Sequence, residues 1–365
     1  MLHDTRNEGC HGQAPRRHAI VASAHSRRML LLVSLALGTG CTTTPTSSPS
    51  TSRTELRRGA VQCLKAAIRY RYNPAVRAAA VEALETTASS DAAAQIRAAL
   101  LDEHPAVRFA GCVAVGKSQD RLAESALRQC LEDADPNVRV GALFAMHRLG
   151  HTEHTGKLAT FLLKHNDPAV RRNAALVMGI LGEPGVLKAL ARAMKDRDRG
   201  VRHHALEAMA RVHNAEAKRE LVFMTEAGVG AEEVFALSAL AVTRDPALVE
   251  TYRYKLAHGD HLETRLAAAR GLGLLGLDGG YDVAVRALHY KGAPVRDSES
   301  SREERLLRVR LLAASALGAI GRADALGALE RLMNRSADPR EQVAAARAIL
   351  EIIEANRRKG FPSFP

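Results

Sequence analysis

A five-residue motif returns along this chain at an almost constant spacing. It occupies residues 73–77, 104–108, 135–139, 167–171 and 198–202, in steps of 31, 31, 32 and 31 residues. Looser copies lie at 230–234, 260–265, 308–310 and 338–343. Self-similarity at a fixed period of this length indicates an array of repeated supersecondary units. The sequence therefore predicts about nine stacked units and not an ordinary mixed domain.

Each copy of the motif is a helix start. An Asp, Asn or His is followed by Pro in four of the five regular copies, which is typical of an N-cap and the first helical position. Apolar residues then recur at helical spacing, as at Val170, Ala174 and Val177, and a glycine such as Gly182 ends the run. A further helical segment, for example 187–194, precedes each motif. Each unit is therefore predicted to be a pair of helices.

Composition agrees with an all-α chain. Apolar residues make up 46% of the sequence, mainly Ala, Leu and Val, whereas aromatic residues are 4% and Trp is absent. Helices this short are marginal alone, so successive pairs must cover each other's apolar faces. We expect a curved rod about 80–90 Å long, from about 9–10 Å per layer. Its concave face would be lined mainly by the second helix of each pair.

The residue pattern of the repeat resembles that of a known class of helical repeat. Pro-x-Val-Arg followed by Ala-Ala-x-Ala-Leu-Gly is similar to the short HEAT-like repeats of the phycobilin-lyase type, and the likeness covers residues 55–357. The resemblance implies an α-α superhelix, a HEAT-like repeat solenoid of about nine helix pairs. The signature residues of ankyrin and tetratricopeptide repeats are missing from the sequence.

Residues 1–41 read as an export signal. Arg27 and Arg28 precede an apolar run at 29–37, which is shorter than the roughly 20 residues of a membrane span. Cys41 follows small residues, so the segment resembles a bacterial lipoprotein signal, although Gly38 stands where that class usually has Leu. The resemblance implies a lipid on Cys41; an ordinary signal peptide is the alternative. Residues 42–54 are rich in Thr, Ser and Pro and predict an extended tether. Residues 358–365 are predicted to be a C-terminal tail.

Basic residues cluster around the fourth to sixth units. The chain carries a formal net charge of +12, and such an excess can attract anionic partners. The candidate partner-binding patch consists of Arg171, Arg172, Lys188, Arg192, Lys195, Arg199, Arg202 and His203. A solvated helix face is the alternative interpretation. The arginine that closes each motif, at 77, 108, 139, 171, 202, 265 and 310, is expected to bridge to a capping acid or carbonyl of a neighbouring unit.

No pattern in the sequence predicts catalysis. There is no Cys-x-x-Cys pair, phosphate-binding loop, nucleophile elbow or His-Glu dipeptide. His147 and His151 are separated by Gly150, which should end their helix, so we expect no metal site there. Cys63, Cys112 and Cys130 lie in apolar helical stretches and are expected to be small buried side chains. We therefore expect no catalytic residue, cofactor or metal. An irregular stretch at 290–305 predicts an inserted loop.

These features together predict a non-catalytic scaffold. It would bind a protein partner in the cell envelope and attach to the membrane through the lipid on Cys41, at the bacterial outer membrane or the periplasmic face. The alternatives are an enzyme or enzyme accessory of the lyase-like kind, and a binder of an anionic polymer through a basic groove. We do not expect nucleic acid as a partner, because an exported chain would not meet it.

Overall fold

All regular secondary structure in the described residues is helical, as the sequence predicts. The computed structural model describes residues 52–86, 90–227, 230–292 and 302–360. Within them the helices form nine pairs: α1 (Arg53–Ala67) and α2 (Pro74–Glu85); α3 (Ser90–Ala99) and α4 (Pro105–Ser118); α5 (Glu124–Cys130) and α6 (Pro136–Arg148); α7 (Thr155–Lys164) and α8 (Pro168–Leu181); α9 (Leu187–Ala193) and α10 (Arg199–Arg211); α11 (Ala215–Glu226) and α12 (Ala231–Ala241); α13 (Val249–His258) and α14 (Leu262–Leu274); α15 (Tyr281–Leu288) and α16 (Arg302–Ile320); α17 (Leu326–Arg335) and α18 (Pro339–Gly360). The fold is an all-α solenoid of HEAT-like helix pairs.

Several predicted features fall outside the described residues. They are the signal region 1–41 with Cys41, most of the tether at 42–54, the centre of the expected insertion at 293–301, and residues 361–365 of the predicted tail. The expected tail begins later than predicted, since α18 continues to Gly360. None of the helices in the described ranges is both long and apolar enough to cross a membrane.

The motif caps the second helix of each regular pair as expected. The side chains of Asn73, His104, Asp135, Asp167 and Asp198 each accept a hydrogen bond from a backbone N–H in the first turn. The Asp167 carboxylate, for example, accepts from the Ala169 N–H at 2.8 Å. At the other end of α8, Gly182 takes a φ of +67°, a left-handed conformation that favours glycine. The sequence signals for helix starts and stops are thus confirmed.

The motif arginines join consecutive pairs. Arg108 donates to both carboxylate oxygens of Asp133, at 2.7 and 2.8 Å, and to the Asp102 carbonyl at 2.9 Å. Asp133 lies beyond the first helix of the next pair, and its Oδ1 also accepts from the Asp135 N–H at 2.9 Å. Arg139 then donates to the Asp133 carbonyl at 2.6 Å. We call this series the arginine ladder. The predicted bridge to a neighbouring unit is confirmed for Arg77, Arg108, Arg171 and Arg310. The arginines at 139, 202 and 265 instead donate to carbonyls of their own helix pair.

The second helices form the tighter, inner layer. Each second helix packs on the second helix of the next pair along the whole array, whereas the first helices touch one another at few places. Small residues permit the close approach: a Cβ on Gly179 of α8 would lie 2.7 Å from the Ala208 Cα of α10. Four successive second helices line one shared cavity, which makes this layer concave. The prediction that second helices line the concave face is therefore confirmed.

The expected open rod is wrong, because the last pair packs on the first. Helix α18 contacts both α1 and α2, so the inner layer is continuous from α2 round to α18 and back. Arg57 pairs with Glu354 at 3.5 Å across this junction, and the Cys63 Sγ lies 3.9 Å from the Gln342 carbonyl oxygen. One hydrophobic cluster spans α1–α6 and α14–α18. The helix pairs thus close into a ring, since burying both end faces removes apolar surface from water.

Candidate binding site on the inner layer

One repeat position divides the inner layer into two halves. It lies two residues before the position of the ladder arginine, which Val234 and Gln342 occupy in the sixth and ninth pairs. In every second helix except α16 it lies near the start of the helix. In the first five pairs it holds a small or neutral residue, in the order Ala75, Ala106, Asn137, Ala169, Gly200. In the last four pairs it holds a charged residue, in the order Glu232, Glu263, Arg308, Arg340. The repeat period therefore predicts a neutral half and a charged half of the same surface.

The neutral half encloses a shallow cavity. Its volume is about 590 Å³, and helices α2, α4, α6 and α8 all contribute to its lining. Ala75, Ala79 and Phe109 supply apolar surface, whereas Asn137 and Asn173 hydrogen-bond to each other at 2.9 Å. The two asparagine side chains are therefore occupied by each other and are poorly placed to fix a ligand's orientation.

The charged half contains a second cavity, which we call the arginine pocket. Helices α12, α14 and α16 surround a volume of about 510 Å³. Its lining consists of Gly230, Ala231, Val234, Phe235, Ser238, His261, Glu263, Arg305 and Arg308. Sites that bind small ligands have volumes of about 300–1,000 Å³ and combine apolar walls with a few convergent polar groups. The arginine pocket has both properties.

Glu263 is the central polar group of the arginine pocket. The residue is only 8% exposed. Its Oε1 lies 3.3 Å from the Arg305 Nε and 3.6 Å from the Arg308 Nε. Its Oε2 is buried and has no hydrogen-bond partner among the described residues. A buried carboxylate oxygen without a donor is unusual, because leaving it unsatisfied costs about 1–3 kcal/mol or more. Within the described residues this oxygen therefore lacks the donor that a buried carboxylate normally has.

Two uncapped helix starts add positive potential to the same cavity. Gly230 and His261 are the N-cap residues of α12 and α14, and neither provides a side-chain cap. Gly230 also has a φ of +42°. In the first five pairs a capping side chain occupies this place. Helix starts with free N–H groups carry partial positive charge and favour anions.

A buried ion pair supports the floor beside the pocket. Glu233 takes the place that Val occupies in the regular motif and is 6% exposed. It pairs with Lys255 at 2.7 Å, and the Thr264 hydroxyl donates to its Oε2 at 2.7 Å. Val234 stands at the ladder position, so the sixth pair has no ladder arginine. In the sixth pair, the buried contacts of Glu233 with Lys255 and Thr264 therefore stand where the regular pairs have an apolar valine and a ladder arginine.

The predicted basic patch divides between the two layers. Lys188, Arg192 and Lys195 lie in or just after the outer helix α9, and all three are exposed. Arg172 and His203 lie on the inner helices α8 and α10. The three α9 residues form no ion pair with another described residue; we call them the α9 patch.

The remaining members of the predicted patch are occupied within the protein. Arg171 is 4% exposed and donates to both oxygens of Asp196, at 2.9 and 2.8 Å. Arg202 donates to the Asp196 carbonyl at 2.8 Å, and Arg199 pairs with Glu232. Arg171 and Arg202 belong to the arginine ladder. The structure therefore does not bring the eight predicted residues together as one surface.

His203 borders the arginine pocket through Phe235. The two rings stack with centroids 4.3 Å apart and planes 12° apart. Burial lowers the pKa of His203, and the charge of the neighbouring Arg199 lowers this pKa further. The imidazole is thus neutral near pH 7 and extends the apolar wall that Phe235 contributes to the cavity.

The histidines considered for a metal site have separate roles. The His147 Nε2 lies 2.6 Å from Glu183 Oε1, and the His151 Nε2 lies 3.2 Å from Glu124 Oε1. Gly150 ends α6 between them with a φ of +107°. In the ranges that the structure describes, no group of three or more His, Cys, Asp or Glu residues is arranged to hold a metal ion.

The arginine pocket was not predicted from the sequence. Arg305 precedes the looser motif copy at 308–310, Arg308 is its first residue, and Glu263 lies within the copy at 260–265. Comparing the residue two positions before each ladder arginine would have shown the switch from neutral to charged side chains. The orphaned Oε2 of Glu263 had no sequence signal, because it depends on which groups reach it.

Comparisons with known proteins found one matching family model and several solved structures of low similarity. A family model of HEAT repeats matches residues 61–134 and 123–210. A comparison with curated proteins gave no match. Among solved structures, the CpcE–CpcF complex of phycocyanin lyase from Nostoc is 18% identical, with a TM-score of 0.40, covering 76% of this chain and 100% of that one. Human deoxyhypusine hydroxylase is 18% identical, with a TM-score of 0.37, covering 74% and 98%. Kap95p bound to RanGDP is 12% identical, with a TM-score of 0.34, covering 79% and 49%.

Proposed function

We propose that this HEAT-repeat protein is a non-catalytic scaffold that binds a protein partner in the cell envelope. In this proposal a lipid on Cys41 and the Thr-, Ser- and Pro-rich segment 42–54 attach the ring of helices to a membrane. The observation that carries the partner-binding part is the α9 patch. Lys188, Arg192 and Lys195 present three exposed cations in or just after one outer helix, and none of them forms an ion pair with another described residue. An acidic surface of a partner would complement them.

The charge arrangement favours a protein over a simple structural role for these residues. On two other outer helices an exposed arginine has an intrahelical partner: Arg128 pairs with Glu124 at 2.7 Å and Arg253 with Glu250 at 2.7 Å. Such pairs occupy the cation and reduce its availability. The α9 patch lacks them, so its field extends into solvent. Complementary charge speeds encounter and fixes orientation more than it adds affinity.

Affinity capture from membranes tests this proposal. The full chain, lipidated at Cys41, would be compared with Cys41→Ala and with a variant carrying Lys188→Glu, Arg192→Glu and Lys195→Glu. The matched control carries Arg128→Glu, Arg253→Glu and Arg331→Glu, an equal change of charge on other outer helices. We expect a discrete protein to be enriched by the wild type and by this control, but lost with the α9 reversals and depleted with Cys41→Ala.

The same experiment separates the alternatives. Recovery of the same protein by both charge-reversal variants would contradict the α9 patch as the docking surface. Enrichment of polysaccharide or another anionic polymer in place of a protein would contradict the protein-partner proposal. A stoichiometric metal in the purified mature chain, measured by elemental analysis, would contradict the non-catalytic part.

A further inference from the structure

We propose that the arginine pocket binds the C-terminal end of a peptide chain, with an apolar last residue and a free α-carboxylate. The site lies on the inner layer and is separate from the α9 patch. The inference deepens the proposed function, on which it rests in one respect: the partner is a protein. Its chemistry can nevertheless be tested with short peptides alone.

The arginines select a carboxylate. Arg305 and Arg308 both direct Nε toward one oxygen of Glu263, at 3.3 and 3.6 Å. A guanidinium has five N–H donors in a fixed planar arrangement, so most donors of both side chains remain for a ligand. Their side chains are 28% and 49% exposed, so an incoming group can reach them. Arginine pairs with carboxylates through two parallel hydrogen bonds, the strongest common geometry for this anion.

The charge balance selects a single negative charge. Two guanidinium groups face one carboxylate, which leaves one positive charge, and the uncapped starts of α12 and α14 add to it. A free amino acid is a zwitterion, and its ammonium group would have to lie near two guanidinium groups. A peptide C terminus carries the carboxylate without that cation. The arginine pocket therefore favours a chain end over a free amino acid.

The unpaired Oε2 of Glu263 favours a ligand that carries a hydrogen-bond donor next to its own carboxylate. The buried Oε2 of Glu263 lacks a hydrogen-bond partner among the described residues. In a C-terminal residue the amide N–H is separated from the carboxylate by one Cα atom. A chain end can thus place its carboxylate on Arg305 or Arg308, and its N–H reaches Oε2 once the Glu263 side chain rotates toward the cavity, because that oxygen is buried in the protein as it stands. An inorganic anion has no such donor and would leave this oxygen unsatisfied.

The walls select an apolar side chain. Ala231, Val234 and Phe235 line the side of the cavity opposite the charged groups of α16, and Phe235 is held in place by its stack on His203. The volume of about 510 Å³ lies within the range of sites for drug-sized ligands. Burying an aliphatic or aromatic side chain there would contribute about 25 cal/mol per Å² removed from water. Carboxylate, amide N–H and apolar side chain are the three groups of an apolar chain end.

Calorimetric titration of the full chain with four probes tests the inference. The probes are N-acetyl-Leu-Phe, its C-terminal amide, free phenylalanine and sodium phosphate. We expect N-acetyl-Leu-Phe to bind at least tenfold more tightly than the other three, a difference of about 1.4 kcal/mol or more. Arg308→Gln should weaken its binding by a similar factor. Arg340→Gln, which changes the equivalent repeat position in α18 outside the cavity, should leave the affinity unchanged.

Several results would overturn the inference. The first is equal binding of the acid and the amide, and the second is binding of free phenylalanine or phosphate as tight as that of the peptide or tighter. The third is an equal effect of Arg308→Gln and Arg340→Gln. The fourth is a dissociation constant for N-acetyl-Leu-Phe weaker than about 1 mM, which corresponds to about −4.1 kcal/mol. The α9 reversals should not alter these titrations. Failure of the peptide titration with intact membrane capture would therefore reject this pocket and leave the α9 patch standing, and the converse result would do the opposite.

Discussion

Arg171 and Asp196 form a two-hydrogen-bond pair across the boundary between the fourth and fifth helix pairs. The guanidinium Nε and Nη2 donate to Oδ2 and Oδ1 at 2.9 and 2.8 Å, and Nη1 donates to the His165 carbonyl at 2.8 Å. Arg77 with Asp102 and Arg108 with Asp133 repeat the arrangement at the same separation of 25 residues. The last arginine of the motif is thus a structural residue at these three positions: it links one helix pair to the next and is not available to a partner.

Removing one member of this pair should destabilise the ring. Asp196→Asn leaves the Arg171 guanidinium buried with its charge unpaired, so we expect a loss of about 3 kcal/mol in the free energy of unfolding. Glu250→Gln removes the partner of Arg253 in an exposed pair and should cost less than about 1 kcal/mol. Denaturant unfolding of both variants measures the difference. Equal, small effects would show that the ladder does not stabilise the joint.

The arginine ladder should also make the free energy of unfolding depend on pH in the acidic range. The hydrogen bond from Arg108 holds the pKa of Asp133 below its usual value. The unfolded chain therefore takes up this proton at a higher pH than the folded chain does. The stabilisation is complete above the ordinary aspartate value of about 4 and is lost as the pH falls through the folded pKa.

Denaturant unfolding between pH 7 and pH 3 measures this contribution. We expect Asp133→Asn to be less stable than the wild type at pH 7 and to lose less stability on acidification. Parallel curves for the two proteins over this range would mean that Asp133 titrates alike in the folded and unfolded chains.

The same glycine substitution should have opposite effects at two sites. Gly179→Ala places a Cβ 2.7 Å from the Ala208 Cα, so α8 and α10 must separate, at a cost of about 1–3 kcal/mol. Gly156→Ala in α7 meets nothing within 4 Å. It should leave stability unchanged or raise it by up to about 1 kcal/mol through helix propensity. Thermal unfolding followed by circular dichroism distinguishes the two. A neutral Gly179→Ala would contradict the close packing of the inner layer.

Cys63 should report on the junction of the ring. Its Sγ lies against the Gln342 carbonyl of α18, and burial raises the pKa of this thiol, so little reactive thiolate is present at pH 7. Leu56→Ala in α1 should loosen the junction and accelerate alkylation of Cys63 by iodoacetamide, measured by peptide mass spectrometry. Leu221→Ala in α11 lies in the other hydrophobic cluster and serves as control. Equal acceleration by both variants would indicate global unfolding and not local opening.

Much of the fold could be predicted because the same helix-start and helix-stop signals recur in each repeat. The caps at Asp135 and Asp167, the stop at Gly182 and the pairing of helices follow from local residue preferences, which need no knowledge of distant contacts. The ladder partners were partly readable, since Asp102, Asp133 and Asp196 each stand two residues before a capping residue. These local signals recur in register, so each copy supports the others.

Closure and the arginine pocket could not be predicted in this way. Whether α18 reaches α1 depends on a small rotation per pair summed over nine pairs, and no single residue encodes it. Arg57 and Glu354 look like ordinary surface residues until the ends meet. Likewise, Arg305, Arg308 and Glu263 come from two helices about 40 residues apart and converge only because α14 packs on α16. The basic patch was predicted because its residues are close in the sequence. In the structure they lie on two different layers of helices, so they do not form one surface.

The distance between the first and last pairs tests the closed ring most directly. Spin labels would be placed on exposed Gln62 of α1 and exposed Arg331 of α17, in a chain whose native cysteines are replaced, and their separation measured by double electron–electron resonance. A closed ring places these helices side by side and should give one narrow distribution at short distance, within the reach of two labels on neighbouring helices. A distribution near the roughly 80 Å length of an open nine-layer rod would contradict closure, and with it the continuous inner layer.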